Sequence, residues 1–143
     1  MSGGSDVSSS ISMNLSVVVK ETGKKGRGVF AGKNFVKGEI IETCPIVYLS
    51  PKERTHCEHT ILAYYLYPWT SMRCGAMVLG YGSIYNHSFT PNTQWKQDFH
   101  AKTMIYQAVR NIKTGEEITV NYNGKAEDQK PIDWFGEFAK KYQ

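Results

Sequence analysis

Nowhere in the 143 residues is there an apolar run near the roughly 20 that a helix needs to cross a bilayer, so no membrane partner is expected. Cysteine is scarce. Cys44, Cys57 and Cys74 are odd in number and widely spaced, and no secretory signal precedes them, which excludes a disulfide scaffold. The expectation is a reduced intracellular compartment, with nucleus and bacterial cytoplasm both open. Charge of one sign is never concentrated: the net charge is +4, yet Lys24-Lys25 and Lys140-Lys141 are the only adjacent basic pairs. Without a basic stripe, nucleic acid is not expected as a direct ligand. No Ser-His-Asp pattern is evident. His56-Cys57-Glu58-His59 matches no zinc spacing and has no fourth ligand, so it reads as a solvated helix end and no metal is expected.

What is present suits one folded domain. The apolar fraction is 41% and the aromatic fraction 13%, enough for a single core. Nine tyrosines are many for this length. A phenol joins an apolar body to a polar tip, which suits a cleft wall as well as a strand.

The chain divides into a Ser/Gly-rich leader at 1–13, read as disordered, a core domain at 14–125 and a tail segment at 126–143. Val17-Val18-Val19 predicts a first strand. A turn over Gly23 to Gly28 leads to extended Val29-Phe30-Ala31, and Lys37-Gly38 turns into a strand over Glu39 to Glu42. Ser50-Pro51-Lys52-Glu53 carries a cap, a first-position proline and a capping-box glutamate, predicting a short helix from Pro51 to about Glu58. Thr60 to Tyr67 admits strand or helix, with strand favoured by its β-branched and aromatic content. Lys102 to Arg110 and Glu117 to Asn121 read as strands, and Trp134, Phe135, Phe138 and Tyr142 fall at helical spacing in the tail. No repeat is visible. The fold class is mainly β, with few short helices.

Three segments carry chemistry. Gly26-Arg27-Gly28 lacks the third glycine of a dinucleotide fingerprint, and alone it reads as a turn. Asn86-His87-Ser88-Phe89-Thr90-Pro91-Asn92 alone reads as a polar loop. Gly115-Glu116-Glu117-Ile118-Thr119-Val120-Asn121-Tyr122 is a charged turn entering a strand, with Glu117 supporting the fold rather than acid–base work.

In this order, the three segments resemble the motifs of SET-domain protein-lysine methyltransferases, nearest the minimal viral and bacterial type, over roughly Val17 to Tyr122. The Gly75 to Tyr85 stretch leading into Asn86 is similar too. The resemblance implies a β-clip fold with a C-terminal pseudoknot and S-adenosyl-L-methionine as cofactor. It implies that the carbonyls of Gly26, Arg27 and Gly28 face the methionine part, that Asn86 binds its amino-acid end, and that the main chain of His87 meets the adenine edge. Tyr81 is assigned beside the cofactor as well. Tyr122 is the catalytic candidate. Tyr48, Tyr81, Trp95 and Val120 are the substrate-channel candidates, with core packing an equal reading for Trp95. Val120 stands where relatives place Phe or Tyr. Trp134, or failing that Phe135, is expected over the adenine, the rival being that the tail helix caps the core. The partner implied is a protein or peptide lysine, a histone tail among the options, with a homodimer left open. The competing function is a SET-fold peptide-binding module that transfers nothing.

Overall fold

A computed structural model describes residues 16–131. The leader at 1–13, the tail helix and Trp134 lie outside the described residues. Two sheets are formed by nine strands: β1 (Val17–Glu21), β2 (Arg27–Ala31), β3 (Ile40–Leu49), β4 (Leu66–Trp69), β5 (Ser71–Val78), β6 (Asn86–His87), β7 (Thr93–Asp98), β8 (Thr103–Ala108) and β9 (Glu117–Val120). The first sheet runs β1-β2-β9-β6 and the second β4-β5-β3-β8-β7. The fold is mainly β, as the sequence predicts.

The helix α1 (Pro51–Cys57) starts at the expected cap: the Ser50 hydroxyl accepts from Glu53 N–H, and the Glu53 carboxylate accepts from Ser50 N–H at 2.9 Å. Arg54 of α1 reaches β5, its Nη1 donating to the Met72 carbonyl at 2.6 Å and to that of Cys74. Three expectations need correction. β2 begins at Arg27, inside the predicted turn, because ladder pairing with β1 draws Arg27 opposite Glu21. β3 continues through Pro45 to Leu49. Its first half pairs with β8 and its second half with β5, and the proline sits where the partner changes, so its missing N–H breaks no ladder bond to β5. Thr60 to Tyr67 is divided: a 3-10 turn at Ile61–Tyr64, capped by the Thr60 hydroxyl, then the opening of β4.

The second sheet curls until its outer strands meet through side chains. Gln97 Nε2 donates to the Pro68 carbonyl at 2.6 Å, Trp95 meets Tyr67 edge-on at 5.2 Å, and Phe99 meets Trp69 at 4.9 Å. Beneath lies a core that includes Met104, Tyr106, Val29, Ile118 and Val120, all fully buried. β8 shows the alternation that places alternate residues inward, with Met104, Tyr106 and Ala108 buried.

A two-fold internal relation, not visible in the sequence reading, joins Asn34-Phe35-Val36-Lys37-Gly38-Glu39 to Asn111-Ile112-Lys113-Thr114-Gly115-Glu116. Phe35 and Ile112 exchange both backbone bonds at 2.8 Å. Asn34 Oδ1 accepts from Thr114 N–H and Asn111 Oδ1 from Lys37 N–H, each at 2.8 Å. Gly38 donates to the Ala108 carbonyl and Gly115 to that of Ala31. Both glycines sit at φ near +90°, where a side chain would be strained. β2 and β3 thus correspond to β8 and β9, which is why β2 pairs β9 while β3 pairs β8.

Candidate active site

β9 lies in the middle of the first sheet, antiparallel to β2 and parallel to β6, where Asn86 pairs with Thr119 and His87 with Val120. This parallel contact brings two of the sequence segments together. Ser88 N–H donates to the Val120 carbonyl at 2.9 Å, and the chain then loops back so that Asn92 accepts from Thr119 N–H at 3.0 Å and donates to the Glu117 carbonyl at 2.8 Å. Asn92 is buried, and these bonds lock the loop after Asn86-His87 against β9.

The third segment arrives through β2. Asn86 Nδ2 donates to the Arg27 carbonyl at 3.0 Å and to Glu117 Oε2 at 2.8 Å, while Lys25 Nζ pairs with Glu117 Oε1 at 2.9 Å. Glu117 therefore ties the glycine loop to Asn86, a role beyond the fold support expected of it. Gly28 is required by this closeness: a Cβ there would lie 2.5 Å from Glu117 Oε2 and 2.8 Å from Asn86 Nδ2. Gly26, at φ +72°, turns the loop in the left-handed region.

His87 Nδ1 accepts from Tyr122 N–H at 3.0 Å, so the ring holds the second residue beyond β9. That bond requires an unprotonated Nδ1. Burial, and then the nearby Lys25 charge, push the imidazole down to about 4, so it is neutral at physiological pH. The ring is also packed edge-on against Phe89 at 4.4 Å. The Tyr122 hydroxyl donates to the Tyr85 carbonyl at 2.9 Å.

Two clefts meet at Tyr122. One, a cleft of about 200 Å³ open to solvent, is lined by Lys25, Gly26, Arg27, Ile61, Tyr64, Tyr65, Ser83, Ile84, Asn86 and Tyr122. The other, a narrow space of about 20 Å³, is walled by Tyr64, Tyr65, Leu66, Tyr67, Pro68, Ser83, Tyr85 and Tyr122. Tyr64, Tyr65, Ser83 and Tyr122 belong to both. The first has Lys25, Arg27 and Asn86 in its lining, while the second is walled mainly by tyrosines and, among the described residues, has no carboxylate, imidazole or amine.

Of the sequence-predicted residues, Gly26, Arg27, Asn86 and Tyr122 line the open cleft, with Gly28 and His87 directly behind them. The channel candidates fare differently. Tyr48 is on the outer side of β3 with its hydroxyl 3.2 Å from Cys74 Sγ, and it lines neither cleft. Tyr81 packs on the core and gives its N–H to Glu42, also away from both. Trp95 donates from Nε1 to the Asn121 carbonyl at 3.1 Å and packs on Tyr67, so its ring supports the aromatic cleft from behind. Val120 is fully buried in the core. Strand alternation sends these side chains to faces that a sequence without register cannot assign. The residues missed are Tyr64, Tyr65, Tyr67 and Tyr85; the signal was the density of phenols in Tyr64-Tyr65-Leu66-Tyr67-Pro68, read only as secondary structure.

Among known proteins, the SET domain family matches residues 26–123. The chain is 37% identical over 105 residues to a Schizosaccharomyces pombe histone-lysine N-methyltransferase, H3 lysine-37 specific, covering 73% of this chain and 71% of the relative. A solved structure of a candidate histone methyltransferase of Plasmodium falciparum superposes with a TM-score of 0.57 at 30% identity, over 77% of this chain and 95% of the other. The Chaetomium thermophilum Polycomb Repressive Complex 2, autoinhibited and bound to S-adenosylmethionine, aligns at TM-score 0.67 and 22% identity, over 88% of this chain and 16% of that chain, a likeness of fold.

Proposed function

The chain belongs to the SET domain family and is an S-adenosylmethionine-dependent protein-lysine N-methyltransferase; we propose that its open cleft holds the cofactor, its aromatic cleft the lysine, and that a histone tail supplies that lysine. The observation that carries the division is the sharing of Tyr122 by two clefts with different linings, one including Lys25, Arg27 and Asn86 and the other mainly tyrosine. The residues present fit the cofactor. Gly26, Arg27 and Asn86 line the open cleft, and Gly28 leaves no side chain between the loop backbone and Asn86. Gly26, Arg27 and Asn86 would hold its methionine part. When bound, S-adenosylmethionine would supply an electrophilic methyl carbon on its sulfonium, open to in-line attack by a neutral amine as the sulfur departs as a neutral thioether.

The chain's own residues supply positioning and dehydration. Tyr64, Tyr65, Tyr67 and Tyr85 surround the lysine stem with ring faces and exclude water, which lowers the amine's pKa because burial penalises the charged form. The same faces favour the methylated ammonium product. Tyr122, its hydroxyl proton directed to the Tyr85 carbonyl, presents oxygen lone pairs to the amine N–H and fixes the direction of the nitrogen lone pair. With no carboxylate or imidazole among the described lining residues, the lysine proton leaves to solvent before transfer. His87 cannot take it, because its Nδ1 is committed to Tyr122 N–H.

The histone assignment rests on what the fission-yeast relative acts on. It is tested by offering labelled cofactor with core histones, nucleosomes and a cell lysate, then mapping labelled lysines by mass spectrometry. Label on a histone lysine is expected. Label confined to other proteins would overturn the histone assignment, and absence of label with cofactor binding intact would overturn the division of the clefts.

A further inference from the structure

The wall between the two clefts is the turn at 80–85, which gives Ser83 to both, Ile84 to the open cleft and Tyr85 to the aromatic one. One end of this turn supplies the carbonyl that Tyr122 uses. Its grip comes from a residue that lines neither cleft, Glu42 of β3. Glu42 Oε1 accepts from the Tyr85 hydroxyl at 2.8 Å, and Oε2 accepts from the Tyr81 N–H at 3.1 Å. The two oxygens of one carboxylate thus span the turn from its second residue to its last. The seat is close: Gly80 has φ +64°, and a Cβ there would lie 2.5 Å from Glu42 Oε2.

The opposite side of the turn is pinned separately. The buried hydroxyls of Tyr67 and Tyr106 both donate to the Gly82 carbonyl, at 3.1 and 3.0 Å. The Tyr85 ring is fully buried and lies 4.4 Å from that of Tyr106. The Ser83 hydroxyl ties the middle of the turn to Val78 and Tyr65. Held at Gly82 and Ser83, the turn could still pivot at Tyr85, and a charge-assisted bond from a phenol to a carboxylate is among the stronger ways to stop this.

We infer that Glu42 is a positioning residue for methyl transfer: by holding Tyr81 and Tyr85 at once, it keeps the Tyr85 carbonyl against the Tyr122 hydroxyl and so sets the aperture between the clefts. The inference rests on the assignment of Tyr122 to the reaction given above. A carboxylate touching neither reactant controls turnover through one phenol and one carbonyl. Misplacement of a reacting group by a fraction of an ångström is costly in rate while barely changing ground-state binding.

The test compares Glu42→Gln, Tyr85→Phe and the double variant in the full chain. The glutamine can still accept one bond but not both, since its nitrogen cannot accept from the Tyr81 N–H. Tyr85→Phe keeps the ring and the carbonyl and removes the phenol. Each single variant is expected to lose about tenfold in kcat, with S-adenosylmethionine Kd and peptide KM within about twofold. The double variant should lose no more than the worse single one, because both cut one link. Losses that multiply in the double variant, or that fall on Kd and KM instead of kcat, would overturn the inference. Carbon-13 at Tyr122 Cζ reads the same link without turnover. The resonance should shift in Glu42→Gln, and an unshifted resonance overturns the inference even where no methyl acceptor is found, an outcome separate from failure of the functional reading.

Discussion

Three residues at the site make predictions of different kinds. On the proposed role of its hydroxyl in orienting the amine, Tyr122→Phe should lower kcat by about a hundredfold, the usual order for losing one aligned group. Calorimetry should show cofactor affinity within about twofold, and wild-type turnover would remove Tyr122 from the mechanism. Gly28→Ala acts in the ground state. Its methyl would strike Glu117, Asn86 and Thr22 within 2.9 Å, so about 1–3 kcal/mol of stability should be lost. Cofactor affinity should fall with it, read by thermal melts and titration. His87 makes a prediction in pH. Its folded pKa of about 4 lies below the ordinary 6.5, so the unfolded chain binds the proton more readily. Stability is therefore full above about pH 6.5 and falls as the pH drops toward 4, by about 3 kcal/mol across the interval. Urea denaturation at pH 7 and pH 5 checks the sign, and His87→Gln should flatten the difference. Glu39 and Glu116, both held low, lose their contribution only below the ordinary carboxylate value of 4.5, outside most of that window.

At the scale of elements, the paired turns are self-complementary, each asparagine capping the other's backbone. Asn34→Ala and Asn111→Ala should each cost about 1 kcal/mol by chemical denaturation, as one exposed cap bond is removed. Asn34 should cost slightly more, since its Oδ1 also accepts from the Thr114 hydroxyl at 3.1 Å. A loss at one position and none at the other would refute the equivalence. The relation escaped the sequence because only Asn, Gly, Glu and an apolar residue recur, and the mutual docking needs contacts across most of the chain. Local chemistry was legible in contrast. The capping box of α1 and the strands β1, β8 and β9 follow from signals a few residues long, whereas Gly26, Arg27, Asn86 and Tyr122 were reached through the resemblance of three ordered motifs. The aromatic wall from Tyr64 to Pro68 was not. It is a 3-10 turn and an edge strand placed by β5 and by the seam with β7, and no periodicity within the segment encodes either partner.

For the whole molecule, the position of β9 decides when a site exists at all. It is inserted between β2 and β6, carries Tyr122 just beyond its end, and supplies Ile118 and Val120 to the centre of the core. A chain cut after Gly115 lacks it and leaves β2 with an open edge and Asn92 without its backbone partners. Such a fragment should show no cooperative thermal transition and no cofactor binding; a sharp melt would mean the first sheet stands without its middle strand. The consequence reaches into biosynthesis. Strands β1 to β8 emerge from the ribosome before the one that closes the first sheet, and the peptide exit tunnel delays β9 further. The nascent chain therefore carries its glycine loop and its asparagine as separate, unjoined pieces. Catalytic competence therefore waits for a single step, the insertion of β9 between β2 and β6, and no copy in which that strand is still unmade can modify the proteins around it.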